Sequence, residues 1–153
     1  MQTYSMDGVR QERTSWRDES ISKRHRDWGF NCPAVDLDFL MVEYNFAKPV
    51  GIVEYKHHGA RFPDIKHATY RALITLADMT GLPFVVAFYW PEMWAFRVYP
   101  FNETARAHFA SPYENLSEFD YVARLYRIRR LSIARELSDK LHTQLPPLSV
   151  AAD

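Results

Sequence analysis

Four chemically useful side chains sit inside runs that otherwise read as strand. Glu54-Tyr55-Lys56 closes the apolar stretch Val50-Gly51-Ile52-Val53, and Asp36 and Asp38 stand in Val35-Asp36-Leu37-Asp38-Phe39-Leu40-Met41-Val42-Glu43-Tyr44 just before it. Strand side chains alternate, so Glu54 and Lys56 share one face while Val53 and Tyr55 take the other. A charge on a strand inside an apolar run costs several kcal/mol unless it is paired or holds a metal. With the connecting turn centred near Ala47, Asp38 falls across from Lys56 and Leu40 across from Glu54, while Asp36 lies beyond the strand end opposite His58. Asp38, Glu54 and Lys56 are thereby expected on one patch.

The elements that must position this patch are legible around it. The two strand runs flank Asn45-Phe46-Ala47-Lys48-Pro49 and read as a hairpin. From Pro63-Asp64, apolar residues at Ile65, Ala68, Ala72, Leu76 and Met79 predict a helix that Gly81 ends. Pro83–Trp90 and Met93–Tyr99, joined at Pro91-Glu92, predict a second hairpin. Ser117 with Asp120 three positions on caps the start of the last helix, and an apolar stripe through Val122, Leu125, Tyr126, Ile128, Ile133, Leu137 and Leu141 carries it toward the C-terminus. Upstream, Ser15 to Trp28 fits a helix ending at Gly29. Two hairpins interleaved with helices imply an α+β or α/β domain, a small mixed β-sheet flanked by helices with an extra C-terminal helix.

An Asp at the start of one strand and Glu-x-Lys on the next resembles the signature of the PD-(D/E)xK nuclease superfamily, carried here by Asp38 and Glu54-Tyr55-Lys56 over about Trp16 to Tyr99. The proline of the signature does not adjoin the Asp; Pro33 stands instead, which leaves Asp36 and Asp38 both eligible as first ligand. Asp64-Ile65-Lys66 has the same spacing but is read as opening a helix, where positions i and i+2 do not share a face. The resemblance implies a restriction-endonuclease-like core. It also implies Mg²⁺ or Mn²⁺ held by Asp38, Glu54 and the Tyr55 carbonyl, an oxygen set suited to a hard cation. Lys56 would then orient water and offset charge during phosphodiester hydrolysis in DNA. Glu19 on the first helix, His58 beside the motif and Tyr70 on the following helix become auxiliary residues. Read without catalysis, the same residues form an ion-pair cluster in an inactive nuclease-fold module that binds nucleic acid or protein.

The chain has 153 residues with 19 Lys plus Arg against 19 Asp plus Glu, so any polyanion must be held by a local patch rather than by net charge. Arg124, Arg127, Arg129 and Arg130, with Arg135 beyond them, form the densest one and are expected to follow phosphates, with only Asp120 and Glu136 near enough to pair. Residues 1–13 are polar and 144–153 carry Pro146-Pro147, so both are expected to be mobile ends around one nuclease-like domain at 14–143. The lone Cys32 gives no disulfide framework. No apolar run nears the roughly 20 residues of a membrane helix, and the cytoplasm is the expected compartment. The modest size leaves room for a homodimer.

Overall fold

The computed structural model describes residues 24, 25, 27, 28 and 34–143. The chain forms two compact units, Met1–Asp36 and Leu37–Asp153. In the first, Arg24, His25 and Asp27 are helical and the Trp28 amide donates to the Arg24 carbonyl, at the end of the expected helix. Most of that helix, Glu19 included, lies outside the described residues.

The second unit is built on a five-stranded sheet in the order β1-β2-β3-β4-β5. Its strands are β1 (Phe39–Glu43), β2 (Lys48–His57), β3 (Phe84–Trp90), β4 (Ala95–Pro100) and β5 (Glu114–Leu116). Helices α1 (Ala68–Thr80), α2 (Glu103–Arg106), α3 (Glu118–Ile128) and α4 (Arg135–Thr143) complete it. Only β2 and β3 run parallel, because α1 carries the chain back between them; the other neighbours are antiparallel. This is the expected α+β arrangement of a small mixed sheet flanked by helices. Central β3 reads as an unbroken apolar run because Phe84, Val85, Val86 and Ala87 are buried on both faces.

Each face has its own core. On one, Ile52, Phe84, Val86 and Phe88 meet Tyr70, Leu73 and Ala77 of α1. On the other, Val53, Val85, Ala87, Phe96 and Val98 meet Phe109, Leu116 and Tyr121, the last from α3. Buried Asn102 ties neighbouring segments together: its carbonyl oxygen accepts from the Phe84 and Ala105 amides, and its amide donates to Asp78 and the Leu82 carbonyl.

Several expected boundaries move, for local reasons. Helix α1 begins at Ala68, not at Pro63-Asp64, because Asp64 Oδ1 accepts the Lys66 amide in a side-chain turn and His67 is the N-cap, its ring accepting from the Thr69 amide. The Asp64-Ile65-Lys66 spacing therefore lies in a turn ahead of the helix. The buried face of α1 is Tyr70, Leu73 and Ala77, whereas Leu76 and Met79 of the expected stripe are exposed. Gly81 does close the helix, at φ 69°, with its amide returning to Ala77 and Asp78.

The C-terminal helix is two helices rather than one. Arg129 caps α3, Arg130 takes φ 58°, and the Leu131 amide returns to the Tyr126 carbonyl, so the chain stops as a left-handed cap without glycine. Helix α2 and strand β5, between Pro100 and Ser117, have no counterpart in the sequence reading; each is too short to show a period.

Candidate active site

The β1–β2 hairpin sets the geometry. Its register is Phe39↔Val53, Leu40↔Ile52 and Met41↔Gly51, then Val42↔Pro49 and Glu43↔Lys48 after a bulge. The expected pairing of Leu40 with Glu54 is off by two. Tyr44–Ala47 makes a four-residue connection in which Ala47 takes φ 49°, so the turn lies earlier than Ala47, and the bulge adds a further residue on β2. A shift of two preserves the side-chain face. Asp38 is exposed and lies one residue ahead of β1; carrying the register one step past Phe39↔Val53 sets it level with Glu54 rather than Lys56. Asp36 belongs to the unit that ends with it and is also exposed.

Glu54, Lys56 and Tyr70 are brought together. Lys56 Nζ lies 2.8 Å from Glu54 Oε1, and the Tyr70 hydroxyl donates to the same oxygen at 2.7 Å. The ammonium also stands 5.9 Å from the Tyr70 ring centre. The Glu54 and Lys56 side chains are 15% and 28% exposed, so the pair is sheltered but reachable from water. Tyr70 arrives because α1 buries its Tyr70, Leu73 and Ala77 face against β2 and β3. The hydrogen bond to Glu54 raises the Lys56 pKa above its ordinary 10.5 in spite of opposing burial. Burial first, and then the bond to Glu54, raises Tyr70 above 10.0. Both groups are therefore protonated donors at neutral pH.

The Tyr55 side chain points to the other face, where its hydroxyl lies 2.6 Å from that of Tyr121; only its backbone belongs to the site's strand. His58 takes the site's side of the sheet as alternation requires, stacked on Trp90 at 5.5 Å and 8°. Alternation alone would send His57 to the opposite side. His57 does meet the Tyr89 ring there, but β2 ends at His57, the Ala60 amide returns to the His57 carbonyl, and the two imidazoles still come within 4.1 Å.

The arginine group divides. Arg124 makes a two-pronged contact with Glu114, at 2.9 and 2.5 Å, and also donates to the His108 carbonyl. Burial alone would raise Glu114, but the Arg124 and Ala110 hydrogen bonds and the charges of Arg124 and Arg127 hold it below its ordinary 4.5. Arg129 lies 3.9 Å from Glu43 and over the Tyr126 ring, with its Nε buried and unbonded. Arg127 and Arg130 are exposed. The expectation that only Asp120 and Glu136 could pair missed Glu114 and Glu43, which strands β5 and β1 deliver from a distance in sequence. Helix α3 packs through Tyr121 on the face away from Glu54 and Lys56. Arg124 and Arg129 are thus engaged with carboxylates, while Arg127 and Arg130 are open to solvent.

A cation on the site's own face has no place in the sequence reading. Arg97 sits two strands from Lys56 in the row Lys56↔Phe88↔Arg97↔Asn115. Its Nε donates to Asn115, and its guanidinium stands 5.8 Å from the Trp90 ring and 4.7 Å from that of Tyr113. The signal is there, since Arg97 interrupts the apolar run of β4 as Glu54 and Lys56 interrupt β2. Among the described residues no helix is long and apolar enough to cross a membrane. No protein-family model, no curated protein and no solved structure matches the chain.

Proposed function

We propose that the chain is a Mg²⁺- or Mn²⁺-dependent nuclease that hydrolyses phosphodiester bonds in DNA, in the manner of the PD-(D/E)xK superfamily. The observation that carries this reading is the Glu54–Lys56–Tyr70 cluster, set on the face that the hairpin register also gives to Asp38. The site faces solvent near the carboxyl end of the parallel β2–β3 pair. The donor set fits a hard cation, because Asp38, Glu54 and the Tyr55 carbonyl all offer oxygen. Such an ion, when bound, polarises a phosphodiester and acidifies a bound water.

The side chains divide the remaining work. Lys56 keeps its proton through neutral pH, so it serves as a fixed positive charge and donor toward a phosphate oxygen or the attacking water, not as a general base. Tyr70 holds the Glu54 carboxylate in one orientation by donating to Oε1. Arg97, flanked by Trp90 and Tyr113, offers phosphate contact and aromatic faces for bases. Calorimetry tests the ligand assignment: wild type binds one Mn²⁺ at the oxygen site and Asp38→Ala loses it. Unchanged binding in that variant would remove Asp38 from the site.

A further inference from the structure

Where β2 ends, the alternation that separates neighbouring side chains also ends. His57 is the last strand residue and His58 begins the turn closed by the Ala60 amide on the His57 carbonyl. Beside them, β3 runs parallel through Tyr89 and Trp90 and passes into the turn Pro91–Trp94, which carries Glu92. One donor atom from each of His57, His58 and Glu92 falls within a 4.8 Å group, and His58 Nε2 lies 3.9 Å from Glu92 Oε2.

We propose that His57, His58 and Glu92 form a binding site for a borderline divalent transition ion, zinc in particular, distinct from the oxygen site at Asp38 and Glu54. Two imidazoles and one carboxylate are a donor set that zinc accepts and magnesium does not favour. Donors about 2.0–2.2 Å from a tetrahedral ion stand roughly 3.3–3.5 Å apart, so the 3.9 Å pair needs only a small inward movement. A direct hydrogen bond would be shorter than this separation.

The rings are already held. His58 lies flat on the Trp90 indole, its amide donates to the Tyr89 carbonyl at 3.0 Å, and His57 meets the Tyr89 ring edge-on at 5.8 Å. The Gly59 amide reaches His57 Nδ1 at 3.3 Å, a long contact. Binding through Nδ1 replaces it and binding through Nε2 leaves Nδ1 to carry the ring proton, so either mode exchanges one weak contact for a metal bond. All three residues are exposed, which gives the ion an entry path and leaves the fourth tetrahedral position to water or a ligand.

The proposal is independent of the nuclease reading, and Co²⁺ absorption together with Zn²⁺ calorimetry on the full chain tests it. The expected result is one ion per chain with tetrahedral geometry, at micromolar affinity or tighter and with the visible band of tetrahedral Co²⁺, apart from any ion taken by the oxygen site. His57→Ala, His58→Ala and Glu92→Gln should each weaken binding by at least about 100-fold, since even the outer partners of metal ligands are worth about 10–100-fold. Being exposed, these positions tolerate the substitutions, and far-UV circular dichroism of each variant should match wild type. Asp38→Ala and Glu54→Gln should keep Zn²⁺ and Co²⁺ binding, and His108→Ala should do the same. No micromolar binding by wild type, or wild-type affinity in any of the three ligand variants, overturns the site. Loss of Zn²⁺ binding in Asp38→Ala or Glu54→Gln would also overturn it, by merging it with the oxygen site.

Discussion

Lys56→Ala separates a catalytic ammonium from a structural one, because the geometry sets the two costs far apart. Removing one partner of a fully buried ion pair costs about 3–5 kcal/mol, whereas an exposed pair is worth about 0–1 kcal/mol. Lys56 and Glu54 lie between these limits at 28% and 15% exposure, and Glu54 keeps its 2.7 Å bond from Tyr70 after the substitution. The expected loss of stability is therefore about 1–2 kcal/mol, which urea unfolding at pH 7 resolves as a lower midpoint with unchanged slope. The expected loss of cleavage rate is about 100-fold or more, as for removal of one electrostatic stabiliser.

The pH dependence of the stability gap follows from the sign of the shift. Lys56 has a raised pKa in the folded chain, so its stabilising contribution is complete below the unfolded value near 10.5 and is lost as pH rises through the folded value above it. The gap between wild type and Lys56→Ala should be flat between about pH 6 and 9, where neither state titrates this group. A stable variant that still cleaves at the wild-type rate would refute the role of Lys56. So would a loss of more than about 3 kcal/mol, the signature of a buried structural pair.

Arg97→Ala should lower the slope of log DNA affinity against log salt by about one unit, the equivalent of one phosphate contact, and an unchanged slope would take DNA off this face. Arg127→Ala with Arg130→Ala should leave that slope unchanged, because α3 packs on the other side of the sheet. Arg124→Ala should cost about 1–3 kcal/mol in urea unfolding through its lost contacts to Glu114 and the His108 carbonyl, with no effect on the salt slope. Glu114 has a depressed pKa, so its contribution is present above 4.5 and lost as pH falls through the folded value. Acid unfolding curves of wild type and Arg124→Ala should accordingly converge below that range.

The hairpin, the crossover helix and the second hairpin are legible because strand alternation and continuous apolar runs report burial directly, as Ile52, Val53 and Phe84–Ala87 illustrate. The pairing of Glu54 with Lys56 follows from the same alternation. Register is less visible. The bulge near Val42 and the left-handed Ala47 obey local backbone constraints that carry no glycine signal, and together they move the pairing by two residues. The phase of α1 is obscured because its exposed face carries Leu76 and Met79, apolar side chains that compete with the true buried set. Tyr70 can be placed against Glu54 only once that phase is known. The partners of Arg124 and Arg129 come from β5 and β1, contacts that no local pattern encodes.

The central claim is tested most directly by incubating the full chain with single- and double-stranded DNA in Mg²⁺ or Mn²⁺, beside Glu54→Gln, with and without a chelator. Glu54→Gln keeps an oxygen for the Tyr70 hydroxyl while removing the charge that pairs with Lys56 and would hold the ion. The account predicts cleavage by wild type that the chelator abolishes and that Glu54→Gln reduces by about 100-fold or more. No cleavage of either DNA by wild type, or equal cleavage by Glu54→Gln, would contradict it.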